Sequence, residues 1–410
     1  MDSAPGSAYN EAMTNGASAL GSRKAFASSL STQRDWRLAV QEAARKVSAE
    51  LPGGCDLAML FVTELYPGLE PTTLSALVEE FLPCRTLIGC NSSGVIAGGR
   101  EVEMEPAVTL MGMSLPGVRL TPFYLSPAEL AQLDSGEALM RRLDIYPTER
   151  PKFLAFADPM TCDAERWVRL FNDGYPGAPL IGGLASGLAI GRPTWLLVNK
   201  ESYSEGAAGV ALSGDVDVEI VVAQGCRPIG APLIVTRAEG HVLYELGGKP
   251  PLEVLREVIR GLSAADQELA RQSLFVGVAM DEYKDRFSRG DFLVRNLMGY
   301  DAETGALMIG TTLHAGQTLQ FQLRDARTSD EDLKALLEGM KEEPGTRGAL
   351  LISCCGRGRG LYGEADHDSA VIQRLKGPLP LAGFFANGEF GPVGRCNYIH
   401  GYTSSLAVIR

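Results

Sequence analysis

The chain has 410 residues, a mass of 43.8 kDa and a formal charge of −12, with 45% apolar and 21% charged residues. That length exceeds one ordinary core and predicts two or three domains. The acidic balance (pI about 5.0) argues against nucleic acid and anionic membrane surfaces as partners, and no apolar run approaches the roughly 18 residues of a membrane span.

Residues 1–33 are rich in Ser, Ala, Gly and Asn and lack an apolar signal core, which predicts a disordered tail. Asp2 and Glu11 count against an organelle-targeting peptide there, although that role stays open. Helical spacing of Trp36, Ala39, Val40, Ala43, Ala44 and Val47 predicts a helix over 34–49. A strand at 57–62, a helix over 71–81 capped near Thr72, and a strand at 86–89 follow. After a strand at 107–114 the order recurs, with a helix over 129–141, a strand at 153–157, a helix over 163–172 and a strand at 180–182. Strands are expected at 195–199, 206–212, 216–223 and 232–238, with Gly225–Gly230 as the link between the last two.

The second half opens with a helix near 251–260 and strands at 273–280, 292–294, 305–309 and 319–323. An acidic amphipathic helix over 329–341 leads to a buried strand at 349–354 and a helix near 367–376. Strands at 380–385 and 402–409 close the chain. The fold class is therefore α/β (α+β mixed), with repeated βα units and mixed sheets in two domains, 34–235 and 236–410.

Three segments align: Leu87–Gly94, Leu180–Gly187 and Leu381–Gly388, each with glycines five apart at the end of a strand. Such a repeat points to paired supersecondary units. The spacing matches neither a dinucleotide-binding nor a phosphate loop. The first two copies, GCNSSG and GGLASG, read as structural turns, and the third, GFFANG followed by Glu389, is the copy expected to carry chemistry.

Eight cysteines without a CxxC pair or a zinc-spaced Cys/His set indicate a reducing compartment and no metal site. The densest polar cluster is Cys354-Cys355-Gly356-Arg357-Gly358-Arg359-Gly360-Leu361-Tyr362, directly after a buried strand. Loops at strand carboxyl ends hold ligand sites in α/β proteins, and arginines grip carboxylates or phosphates with paired donors. A lowered pKa beside Arg357 would make Cys355 redox-sensitive or nucleophilic. Asn387, Glu389, Asn397, His400, Tyr402 and Thr403 form a second cluster, in which Glu389 and His400 could serve as acid and base. No GxSxG signature is present.

The stretches SCCGRGRGLY (353–362), GFFANGEFGPVG (383–394) and HGYTS (400–404) resemble the C-terminal domain of the FIST family, and 55–222 resembles its N-terminal domain. The resemblance implies a cytoplasmic sensory module for small ligands such as amino acids, signalling through a partner protein. It carries Arg357, Gly358, Arg359, Tyr362, Asn387, Glu389 and His400 to the pocket. Some members resemble haem-binding nitric oxide sensors, which would need an axial ligand here, His400 before His314. The sequence shows no attached output domain, and its tail is too short for an F-box, so a stand-alone sensor is expected. A protein-interaction adaptor and an enzyme using Glu389 with His400, or Cys355, are the alternatives.

Overall fold

Each of the three glycine-bounded segments closes a parallel strand pair, and those pairs organise the molecule. The computed structural model describes residues 23–187, 193–341 and 345–410. The pairs are Cys55–Thr63 with Cys84–Ser92, Lys152–Ala157 with Leu180–Leu184, and Gly348–Cys354 with Leu381–Ala386. The first glycine of each copy sits at an equivalent register position: Gly89 faces Leu60, Gly182 faces Ala155 and Gly383 faces Leu351. A Cβ there would lie 2.0, 1.8 or 1.7 Å from the carbonyl oxygen of that partner residue. All three glycines are thus required by close backbone approach, which explains the repeat that the sequence displays.

Around each pair stands a six-stranded sheet with one common plan. An antiparallel strand flanks the first parallel strand: Val108–Ser114, Ala207–Gly214 and Thr403–Ile409. An edge strand pairs outside it: Ala25–Ser31, Val118–Leu125 and Val218–Gln224. The other side of each sheet is completed by a hairpin that belongs to a different repeat. Gly94–Glu103, from the first repeat, pairs with Leu381–Ala386 of the third. The hairpin at 196–203, from the second, pairs with the first, and Glu389–His400, from the third, pairs with the second. The exchange is cyclic, so no repeat completes its own sheet.

Helices cover the outer faces. Asp35 caps Trp36–Glu50, accepting from the amides of Arg37 and Leu38, and that helix buries the apolar stripe read from the sequence. The inner faces meet in a shared core where Phe61, Phe156 and Phe384 stack or meet edge-on with centroids 4.8–5.6 Å apart. Each parallel pair supplies one of these rings opposite a smaller residue: Phe61 with Cys90, Phe156 with Gly183, Phe384 with Ile352. The third repeat carries its ring on the other strand of its pair.

The architecture is the expected mixed α/β fold with repeated βα units. Four local expectations need correction. The tail read over 1–33 overlaps the strand Ala25–Ser31, whose alternating burial packs Ala27 into the core; residues 1–22 lie outside the described set. The helix read over 129–141 is two short helices, Pro127–Gln132 and Gly136–Leu143, because Ser135 caps a new start. Gly225–Gly230 is no link: the 14-residue strand Cys226–Glu239 begins within it. That strand opens a closed six-stranded barrel, unforeseen in the sequence, that runs to Arg324. The barrel is inserted in the third repeat between its edge strand and its first helix, Ala326–Gly339. The division at 235 and 236 therefore falls inside a barrel strand.

Candidate functional site

The arginine loop turns inward. Arg357 has no exposed surface. Its Nε donates to Asp368 Oδ2 at 2.7 Å, and its Nη2 donates to Asp368 Oδ1 at 3.0 Å and to the Tyr362 hydroxyl at 2.6 Å. Burial opposes the guanidinium charge, but the adjacent Asp368 carboxylate outweighs it and holds the proton on. Burial likewise works to raise Asp368, and Arg357 overrides it, holding that carboxyl far below its usual range. Tyr362 stacks on His367 with ring centroids 3.5 Å apart. Gly358 lies against Glu103, where a Cβ would meet Oε1 at 2.4 Å, and the Arg359 amide donates to that same oxygen at 2.9 Å. The Arg359 side chain faces solvent. The expected anion grip is thus an internal ion pair that locks the loop onto the first repeat's hairpin. Arg357, Gly358 and Tyr362 offer nothing to a cleft.

Glu389 and His400 are cross-strand partners in the donated hairpin. Glu389 has no exposed surface; its Oε2 accepts from the Thr403 hydroxyl at 2.8 Å and amide at 3.2 Å, and Oε1 has no partner. Burial pushes its pKa up to about 8, against the pull of the Thr403 bonds. His400 is 3% exposed, with Nε2 against the Gly391 carbonyl at 3.0 Å, and burial lowers its pKa to about 4. Near neutral pH burial thus favours a protonated Glu389 and a neutral His400 imidazole whose Nε2 is engaged by Gly391.

What opens to solvent is a long cleft between the barrel and the second sheet. Two adjoining cavities of about 710 and 630 Å³ share Asp163, Glu165, Arg295 and Ile399 in their walls. Cys355, Asn387, His400 and Tyr402 line the second. Arg324, the last residue of the barrel strand Thr318–Arg324, lies there too. Its Nη1 donates to the Gly356 carbonyl at 2.8 Å, its Nε is buried without a partner, and its guanidinium stands 5.3 Å from the Tyr402 ring. Arg295 spans the gap to the body, 3.4 Å from Glu165 Oε1, which also accepts from Thr311 at 2.9 Å.

At the cleft floor the repeats converge. Ser93, Ser186 and Asn387 occupy the same position in the three aligned segments. Cys355 Sγ lies 3.2 Å from Ser93 Oγ, the Ser93 amide donates to Ser186 Oγ at 2.9 Å, and Ser186 in turn donates to the Phe385 carbonyl. Burial raises the Cys355 thiol, opposed by bonds from Ser93 and Ser186. The expected lowering beside Arg357 is thereby overturned: that guanidinium turns inward, with Nε and Nη2 on Asp368 and Tyr362.

A model of the FIST N domain matches residues 56–249, and one of the FIST C domain matches residues 251–392. The chain belongs to the FIST family. FIST domains are small-molecule sensory modules that relay signals to partner proteins. An uncharacterized protein of Mycobacterium tuberculosis is 40% identical over 386 residues, covering 92% of this chain and 98% of its own length. An uncharacterized protein of Mycobacterium bovis is 39% identical over 380 residues, with 92% and 96% covered. Among solved structures, a cyanuric acid hydrolase from A. caulinodans aligns over 94% of this chain and 99% of its own, at 9% identity and a TM-score of 0.34. A likeness of that degree bears on neither chemistry nor ligand.

Neither histidine expected as a haem ligand is presented as one in this FIST chain. His400 has Nε2 engaged by Gly391 and almost no exposed surface, while His314 sits exposed at the far cavity. Among the described residues no group of three or more His, Cys, Asp or Glu is placed to hold a metal ion, and no helix is long and apolar enough to cross a membrane. Arg295 and Arg324, which sequence reasoning passed over, bring positive charge to the cleft from the barrel side. Each lies in or at the end of an ordinary-looking strand, and only the barrel's closure brings them to the body.

Proposed function

We propose that this FIST protein senses a small anionic or zwitterionic ligand, an amino acid or a relative of one, in the cleft between barrel and body. The observation that carries this reading is Arg324: a half-buried cation on the cleft wall that no carboxylate among the described residues pairs, beside the amide of Asn387 and the hydroxyl of Tyr402. A carboxylate there would gain a charge-assisted bond without stripping the guanidinium of its hold on Gly356. Asp163, exposed in both cavities, offers a counter-charge for an ammonium group. Because the cleft lies between two bodies, occupancy would change how firmly the barrel is held, and a partner could read that change.

Thermal-shift screening with amino acids and small organic acids tests the reading. A stabilising carboxylate whose effect disappears in Arg324→Met, but persists in Arg359→Ala, is the expected outcome. A ligand that stabilises Arg324→Met as much as the parent protein would remove the assignment.

A further inference from the structure

The second sheet ends at the cleft in an open edge. Its outermost strand is Cys396–His400, and among the described residues no further strand pairs with it. Which backbone groups face outward follows from the pairing. Pro392 stands opposite Asn397 and has no N–H to donate, and the Asn397 amide instead donates away from the sheet, to Asn172 Oδ1 at 2.8 Å. Asn172 Nδ2 returns a bond to the Asn397 carbonyl at 2.9 Å. The side-chain amide of Asn172 thus pairs with Asn397 as the peptide group of a neighbouring strand would.

Alternation by two places the N–H and C=O of Ile399 on that same outward side. Among the described residues neither group has a partner beyond the sheet, and Ile399 lines both cavities. The strand then runs through Gly401 to Tyr402, beside which Arg324 stands. A row of recognition elements results: an amide already mimicking a strand, an open backbone pair, and a cation at the far end.

We propose that this edge receives the main chain of a short extended peptide, with one residue pairing with Ile399 and its terminal carboxylate at Arg324. The inference rests on the small-ligand reading above and narrows its ligand class. Two features favour a peptide over a free amino acid. The open pair at Ile399 asks for an N–H and a C=O on one residue in strand geometry, which a peptide bond supplies. The joined cavities, about 710 and 630 Å³, far exceed a single amino acid, whereas three extended residues span about 10 Å. Asn172 limits the pairing at the other end, so the edge would take a short ligand and reject a long strand.

The test is calorimetric titration of the full chain with a pool of tripeptides, the same pool N-methylated at the central amide, and the corresponding free amino acids. The tripeptide pool should bind, N-methylation should weaken it about tenfold by removing one backbone bond, and the amino acids should bind more weakly still. Ile399→Pro, checked for an unchanged melting temperature, should reproduce the loss with unmodified peptides. Equal binding of the methylated pool, or free amino acids binding as tightly as the peptides, would overturn the peptide inference while leaving the small-ligand reading standing. No binding of any tripeptide would overturn it too, and the organic-acid screen on Arg324→Met would then decide the broader reading alone.

Discussion

Two of the exchanged hairpins meet the loop after a parallel strand in opposite ways. In the third sheet, the loop after Cys354 folds down onto Gly94–Glu103: the Arg359 amide bonds Glu103, the Ser369 amide bonds Glu101 at 2.8 Å, and Arg357 closes the corner from within against Asp368. In the second sheet, the loop after Ala157 stands away from Glu389–His400, and the gap is the cleft roofed by the barrel. The same topological position is filled by an ion pair in one repeat and left open in another. Arginine content therefore does not locate a ligand site; what matters is whether a carboxylate of the chain itself has already taken the guanidinium.

The comparison breaks first at Arg357. Arg357→Met should strip Asp368 of its partner and cost about 3–5 kcal/mol, seen as a large drop in the urea midpoint. A loss under about 1 kcal/mol would mean that the corner is not locked by this pair. Arg324→Met should cost far less, about 1 kcal/mol for one hydrogen bond, and its main effect should appear in ligand affinity.

The buried hairpin groups give the next effect, through pH. Glu389 keeps its proton to about pH 8 in the folded chain against an ordinary value of 4.5. The folded state thus binds that proton more tightly, and the stabilisation is full below about pH 4.5 and lost as pH rises through about 8. His400 works the other way: lowered to about 4 from 6.5, it contributes stability above pH 6.5 that is lost as pH falls through about 4. Glu389→Gln should therefore flatten the decline in melting temperature between pH 5 and 8. A decline as steep as the parent's would move the responsibility elsewhere, Glu101 being the next group, since burial and then Asp368 push it to about 8. The smallest effect belongs to Arg359→Ala, whose exposed side chain should change stability by no more than about 0.5 kcal/mol.

Much of the scaffold was legible in the sequence because its signals are local. The stripe of Trp36 to Val47 and the glycines at 89, 182 and 383 answer to contacts with the next turn or the adjacent strand. The barrel and the hairpin exchange were not, because they depend on pairings between residues distant in sequence, such as Cys226 with Arg324 in the barrel and Gly383 with Ile96 in the exchange. The site was legible in part. Asn387 and Cys355 do reach the cleft, whereas Arg357 looked accessible in a Gly-Arg-Gly-Arg run and is buried against Asp368 on the helix that follows. Ser93 and Ser186 looked like turn residues, and only convergence of the repeats sets them beside the thiol.

Hydrogen–deuterium exchange of the full chain, with and without the best stabilising carboxylate ligand, tests the central claim most directly. The account predicts added protection in 292–300, 354–356 and 396–402, on both walls and the floor of the cleft, with 357–364 unchanged. Protection concentrated in 357–364 with the cleft walls unaffected would contradict it and return the site to the arginine loop.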